Sequence, residues 1–226
     1  MNFNKFPRTP HLFVLPGINI RDDKVLPVEE SESFYSNPIV IEEKVDGANL
    51  GISLGSSEEI KVQNRGNYIQ PGADRQFDTL LEWIYSRHDL IKNHVEGNYI
   101  LFGEWCYYKH SIYYKALPDW FIGIDIFNIP ANRFLNISNR NYLFSKLEII
   151  PVPLIKRGIF NQKEIIEILE DERSRLGNEK LEGLYFRIED ENWLIKRAKV
   201  VRRNFIQNIT SHWRDAPLKK NHMHIH

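Results

Sequence analysis

Apolar residues come along this chain in short runs closed by Gly, Asn, Asp or Pro, the arrangement of strands separated by turns. Runs rich in Ile, Val, Tyr, Phe and Trp predict strands over residues 39–41, 50–54, 60–63, 99–103, 120–127, 184–188 and 193–197. Elsewhere the apolar positions fall three and four apart, the helical period. Phe77, Leu80, Leu81, Ile84 and Tyr85 share one such face, and Ile165, Ile166, Ile168, Leu169 and Leu176 share another. Asn161 with Glu164 three residues on has the form of a capping box for the second helix. A third helix is expected over residues 201–213, with Phe205, Ile206, Ile209 and Trp213 on one side. There is no repeat and no low-complexity linker, and the elements lack the regular rhythm of βαβ units. The fold class expected is therefore α+β, with mainly antiparallel sheets flanked by helices.

Composition narrows the class. The 226 residues are 42% hydrophobic and 12% aromatic, enough for a core without covalent staples. A single cysteine, Cys106, excludes an intrachain disulfide and a cysteine-rich zinc site. No stretch approaches the roughly 20 apolar residues of a membrane helix, so a cytoplasmic protein with no membrane partner is expected. Thirty basic residues balance thirty acidic ones, which excludes a general cationic coat for nucleic acid. The balance is uneven, however. Between Lys180 and Lys220 ten Lys/Arg face five Asp/Glu, a local excess suited to phosphate. A solvated helix and strand face accounts for the same excess.

The segment from Ile39 to Leu54 concentrates candidate chemistry. An apolar strand leads into Glu43 and Lys44, Val45-Asp46-Gly47 turns the chain, and a second strand follows. Asp-Gly is turn chemistry, and a plain β-hairpin is one reading. The other starts from the lysine. Apolar neighbours strip its hydration, desolvation lowers its pKa, and a neutral amine is a nucleophile. Gly47 then permits a tight turn and a close approach of backbone to a nucleotide.

Lys44-Val45-Asp46-Gly47-Ala48-Asn49 resembles motif I of the covalent nucleotidyltransferases, the superfamily of DNA ligases, RNA ligases and mRNA capping enzymes, in which the lysine becomes joined to AMP or GMP. Asn49, followed by Arg65 21 residues after the lysine, resembles the RNA ligase branch. Four further segments resemble the later motifs in the correct order. Glu104 in Leu101-Phe102-Gly103-Glu104-Trp105 matches the acid that meets the ribose. Ile124-Asp125 matches a Phe-Asp pair that stacks on adenine. Here Ile124 lacks a π face, and Phe121, three residues back, points to the opposite side. Glu182 in Glu182-Gly183-Leu184-Tyr185-Phe186 matches the acid that holds the divalent metal, usually through water. Arg197 and Lys199 match a pair of cations on one strand face that meets the α-phosphate, with Lys196 as an alternative register.

The resemblance runs from about Ile39 to Trp213. It implies a ligase-type nucleotidyltransferase domain spanning 1–226, with no C-terminal OB domain, that uses ATP with Mg²⁺ or Mn²⁺. Lys44 would be the catalytic nucleophile, with Glu43 and Asp46 beside the nucleotide and Glu43 against the adenine edge. Asn49 and Arg65 would serve the joining of RNA 5′-phosphate and 3′-hydroxyl ends, as in RNA repair. A separate partner protein could supply what an OB domain supplies elsewhere. A small ATP-dependent DNA ligase and a non-catalytic nucleic-acid-binding relic are the alternatives. For the RNA backbone the expectation falls on Arg202, Arg203 and Arg214 beside the aromatic segment Tyr107 to Tyr114, which also reads as a half-buried loop. His222, His224 and His226 read as a loose terminus.

Overall fold

The computed structural model describes residues 3–17, 24–55, 57–70, 72, 74–95, 97–177, 179–202 and 218–224. In chain order the elements are α1 (Val28–Ser36), β1 (Ile39–Lys44), β2 (Ala48–Leu54), β3 (Ile60–Gln63), a 3₁₀ turn (Arg75–Phe77), α2 (Leu80–Ser86), α3 (His88–Val95), β4 (Tyr99–Trp105), β5 (Phe121–Asn128), β6 (Arg133–Phe134), α4 (Ile137–Lys146), β7 (Ile150–Pro151), β8 (Leu154–Gly158), α5 (Gln162–Asp171), β9 (Gly183–Glu189) and β10 (Leu194–Val201). Two sheets result. One has the order β10-β9-β1-β8; the other runs β3-β2-β4-β5-β6, with β7 joining β5. The short β5–β7 pairing is parallel, and the other strand pairs are antiparallel.

Each sheet buries an apolar face beneath helices. Ile39, Ile41, Leu184, Phe186, Ala198 and Val200 pack with Phe34 of α1 and Ile165, Ile168 and Leu169 of α5. Leu50, Ile52, Leu101 and Phe121 pack with Trp83 and Ile84 of α2, Ile91 and Val95 of α3 and Phe144 of α4. The seam between the sheets is different, because it is charged. Arg140 of α4 donates to both oxygens of Glu42 on β1, at 2.6 and 3.0 Å. Arg187 of β9 pairs with Asp125 of β5, and its Nε lies 2.5 Å from Glu189. Arg140, Glu42, Arg187 and Asp125 are fully buried. Burial pushes the Asp125 carboxyl up, but Arg187, Arg197 and Arg140 outweigh it and hold the group below its usual range. Removing one member of such a buried pair costs about 3–5 kcal/mol, so the seam fixes how the sheets face one another.

The α+β architecture is as expected, and several boundaries are not. β1 and β2 follow one another in sequence yet lie in different sheets, so Val45-Asp46-Gly47 is a crossover and not a hairpin. The cause is a close approach: a Cβ on Gly47 would stand 2.9 Å from the Trp105 carbonyl oxygen and 3.0 Å from Cys106 Sγ. The helical face expected from Phe77 to Tyr85 is broken. Asp74 caps the 3₁₀ turn by accepting from Gln76 N–H at 3.1 Å. Thr79 then takes a left-handed φ of 62° before α2 begins, and Leu81 and Tyr85 are left exposed. The capping box of Asn161 and Glu164 is present. Its helix ends at Asp171, and Leu176 packs instead with Val45, Tyr114 and Ile122. Val201, the expected start of the third helix, belongs to β10; the rest of that expectation, with Phe205, Ile206, Ile209 and Trp213, lies outside the described residues. Among the described residues no helix is long and apolar enough to cross a membrane.

Candidate active site

Lys44 ends β1 where the two sheets meet, and two hollows open on either side of it. The inner chamber is lined by Phe6, Ile124, Val152 and Tyr185 together with Glu43 and Lys199. The outer cleft is lined by Asp46, Asn49, Asn64, Arg65, Gln76 and His110. Lys44, Val45, Arg65 and Glu104 border both. The inner hollow sets an apolar wall of Phe6, Val45, Ile124 and Val152 against charged residues that include Lys199, whereas the outer one is mainly polar.

Lys44 Nζ lies 2.5 Å from Glu182 Oε1. Burial does pull the lysine pKa down, but Glu182, then Asp46 and Glu104, outweigh it and hold it above its ordinary value. The expected neutral amine is therefore not the resting state; Lys44 rests as an ammonium paired with a carboxylate. The cost of that crowd appears on the acids. Burial, offset by Lys44, pushes Glu182 up to about 7. Burial, offset by Lys44 and Arg65, pushes Glu104 up to about 8. Glu182 is set by the loop entering β9, and Gly183 beside it lets β9 and β10 close, since a Cβ there would collide with the Val200 carbonyl oxygen. Asn49 and Glu104 face one another across β2 and β4.

Two acids expected at the nucleotide border the hollows and also hold loops. Glu43 Oε1 accepts from Ser174 Oγ at 2.6 Å and Oε2 from Arg175 N–H at 3.1 Å. Its backbone N–H donates to the Pro153 carbonyl. Its carboxylate thus holds the 174–175 loop, while the residue borders the inner chamber. Asp46 Oδ2 accepts from the N–H groups of Ser111 and Ile112 at 2.6 and 2.9 Å, and its own N–H donates to Tyr114 Oη at 2.9 Å. It fastens the aromatic loop to the lysine turn. Tyr107 and Tyr114 are buried, so the half-buried-loop reading fits those two residues.

Ile124 reaches the inner chamber by a local irregularity. Phe102 pairs with Asp125 and Gly103 with Gly123, leaving Ile124 as the extra residue of a β-bulge, a device that re-aims a side chain. Phe121 points the other way, into the core with Trp83. Of the two cations on β10, Lys199 borders the inner chamber. Arg197 is not among the chamber's lining residues. Its guanidinium meets Asp125 at 3.2 Å and lies over the Phe134 ring at 4.0 Å. Lys196 projects to the opposite side, where it donates to Ser33 Oγ of α1, so it is not in register with Lys199. Arg202 is also removed from the expected phosphate face: it is buried, with Nη1 on Glu170, Nε on the Leu181 carbonyl and Nη2 on the Leu169 carbonyl. Arg203 and Arg214 lie outside the described residues.

Sequence reasoning missed the N-terminal wall. Lys199 N–H donates to the Pro10 carbonyl and Leu12 N–H to the Lys199 carbonyl, which lays Phe6, Arg8 and Thr9 along the chamber. No periodic pattern marked that segment. Tyr185 was quoted inside a motif but its role was not seen; it lines the chamber and donates to Asp125 at 3.1 Å.

The residues present suit a metal held through water. Glu182 Oε2 is buried with no hydrogen-bond partner, an unmet acceptor where a hydrated cation would sit. Among the described residues no group of three or more His, Cys, Asp or Glu side chains is placed to bind a metal directly. Both amide atoms of Asn49 are likewise buried without partners, so the outer cleft also carries unmet hydrogen-bonding capacity.

Helices over two mainly antiparallel sheets that meet at a lysine ringed by acids form a nucleotidyltransferase-type ligase fold. The RNA ligase family model matches residues 37–201, and the chain belongs to that family. Among solved structures it is similar to an RNA ligase of Naegleria gruberi with PPi: TM-score 0.62, 20% identity, 80% of this chain and 54% of that one. A lysine-to-alanine variant of that ligase with ATP and Mn gives TM-score 0.61 at 18% identity over 80% of this chain and 54% of that one. A glutamate-to-alanine variant with AMP and Mn gives 0.61 at 15% over 91% and 58%. The chain therefore spans little more than half the length of these structures. No curated protein matches it.

Proposed function

We propose that this protein is an ATP-dependent RNA ligase that joins RNA 5′-phosphate and 3′-hydroxyl ends through a lysyl-AMP intermediate on Lys44. The observation that carries the reading is the position of Lys44 on the border of a chamber with one apolar wall and a polar cleft. The Naegleria ligase structures with ATP and Mn and with AMP and Mn support ATP and a divalent metal, Mg²⁺ or Mn²⁺, as the companions of this site.

The base enters the inner chamber against Ile124, Val152 and Tyr185, which places the α-phosphate at Lys44. Glu182 Oε1, 2.5 Å from Nζ, takes the lysine proton; its elevated pKa brings donor and acceptor closer in proton affinity. The Nζ–P bond then forms, the bond from the α-phosphorus to the bridging oxygen breaks, and pyrophosphate leaves. Lys199 offsets charge growing on the phosphoryl oxygens. A divalent ion on Glu182 Oε2 through water would add to that neutralisation. In the outer cleft Asn49 and Arg65 orient an RNA 5′-phosphate, which displaces Lys44 and takes the AMP. A 3′-hydroxyl then attacks that 5′-phosphate and AMP leaves.

Incubation with ATP followed by intact-mass measurement tests the first step, and sealing of a 5′-phosphorylated RNA tests the last. An adduct of AMP mass with sealing of 3′-ribose but not 3′-deoxyribose ends is expected. Equal sealing of both would make it a DNA ligase, and no adduct under any metal would make it a nucleic-acid-binding relic of the fold.

A further inference from the structure

The C-terminal residues 218–224, expected to be loose, are built into the fold. Asn221 is almost completely buried. Its Oδ1 accepts from Tyr114 N–H at 3.0 Å and its Nδ2 donates to the Cys106 carbonyl at 2.8 Å. Backbone bonds flank it: Lys109 N–H to the Lys219 carbonyl, Asn221 N–H to that of Tyr107, His222 N–H to that of Tyr114 and Leu117 N–H to that of His222. The segment is a strap across the loop that Asp46 fastens beside Lys44.

The strap also presents charge. Lys219 Nζ stands 3.8 Å from the Tyr113 ring centroid, and Lys220 Nζ stands 4.6 Å from that of Tyr107 and 5.2 Å from that of Trp120. Both lysines are exposed, as is Lys109. Lys115 is paired with Glu179 at 3.1 Å. The Lys109–Lys219 backbone bond lies one residue from His110, which lines the outer cleft. The cations are thus continuous with the cleft wall, and resting on rings they are ordered before any ligand arrives.

Resting on the ligase reading, we infer that Lys109, Lys219 and Lys220 form a track for the phosphate backbone of single-stranded RNA leading away from the outer cleft, with Asn221 positioning the strap that carries it. The exposed faces of Tyr113 and the two lysines suit a flexible strand better than a rigid duplex.

The probe is a short 5′-phosphorylated single-stranded RNA, with binding followed by fluorescence anisotropy across a potassium chloride series. The full chain is compared with the double variant Lys219→Gln/Lys220→Gln. Two lost phosphate contacts on a single strand should flatten the slope of log affinity against log salt by about 1.4. Lys219→Arg/Lys220→Arg keeps both charges and should retain the parent slope. An unchanged slope in the Gln pair, with its melting temperature retained, overturns the track. So does a Gln pair that melts lower while the Arg pair flattens the slope equally, since the rings would then be holding the strap alone. Uptake of AMP from ATP by the unmodified chain, without RNA, tests the ligase reading separately. AMP uptake with no slope change sinks the track alone. A slope change with no AMP uptake sinks the ligase reading and supports the track.

Discussion

The inner chamber and the outer cleft share Lys44 but differ in what their polar groups are doing. In the chamber, hydrogen-bonding capacity is largely met by protein: Glu43 by Ser174 and Arg175, Tyr185 by Asp125. Toward the cleft it is not: Asn49 has two buried atoms without partners, and Glu182, which pairs with Lys44, has one. Buried polar groups in folded proteins are nearly always satisfied; unmet atoms occur also at Gln63, Thr79, Arg87 and Trp105, and it is the place of Asn49 in the cleft wall that gives its unmet amide a ligand to meet. On the proposed ligase reading, the chamber offers the apolar wall of Phe6, Ile124 and Val152, and the cleft offers hydrogen bonds still to be made. Each of the following substitutions breaks or sharpens that contrast.

The largest effect belongs to the residue common to both hollows. Lys44→Ala should abolish the AMP adduct in intact-mass spectra. Lys44→Arg should not restore it, because a guanidinium stays protonated and is no nucleophile. An adduct of AMP mass in either variant would move the nucleophile elsewhere.

Glu182→Ala comes next. It removes both the proton acceptor for Lys44 and the unmet Oε2, and general-base contributions alone are worth roughly 10²–10⁴-fold. Single-turnover adduct formation should therefore fall by at least about 100-fold. Glu43→Gln should change the same rate far less, because its carboxylate holds a loop; a comparable loss in both variants would erase the distinction between the two acids.

How far the sequence anticipated this site follows the same line between local pattern and tertiary contact. Lys44, Glu104, Glu182 and Lys199 were singled out by their resemblance to ligase motifs, and the fold brings Lys44 against Glu182 and sets Glu104 and Lys199 in the chamber wall. The roles of Glu43 and Asp46 were not legible, since they depend on Ser174, Arg175, Ser111 and Ile112, 65 or more residues away in the chain. The pKa of Lys44 failed for a related reason: burial is visible in apolar neighbours, whereas Glu182, 138 positions distant, arrives only with the fold. Arg202 was misread because a basic residue in a basic stretch gives no sign that Glu170 and two carbonyls will bury it. The order of β1 and β2 in separate sheets turned on the absence of a Cβ at Gly47, which looks identical in a hairpin turn.

Glu104 yields a pH-dependent effect of intermediate size. Its folded pKa of about 8 lies above the ordinary value of 4.5, so the folded state binds a proton that the unfolded chain has released. Stability linked to this group is present below the unfolded value and is lost as pH rises toward 8. Glu104→Gln removes the ionisation. The variant's Tm should exceed that of the parent at pH 8 by several degrees or more, and by much less at pH 5. A larger gain at pH 5 would reverse the sign and place the carboxylate in a stabilising pair.

The smallest effect on stability should come from the residue with the most capacity unmet. Two asparagines make the comparison direct. Asn221→Ala leaves Tyr114 N–H and the Cys106 carbonyl without their partner in a buried place, a loss of about 1–3 kcal/mol. Asn49→Ala leaves nothing behind, because neither amide atom of Asn49 is engaged; removing unsatisfied polar atoms is close to neutral, within about 0.5 kcal/mol. Urea titration of both variants measures the difference. In function the order inverts. Asn49→Ala should form the AMP adduct from ATP at near the parental rate, since the residue lines the outer cleft and not the chamber, yet fail to seal a pre-adenylylated RNA. A variant that unfolds in less urea, or that seals such an RNA normally, would show that the unmet atoms of Asn49 belong to the protein's own packing and not to its substrate.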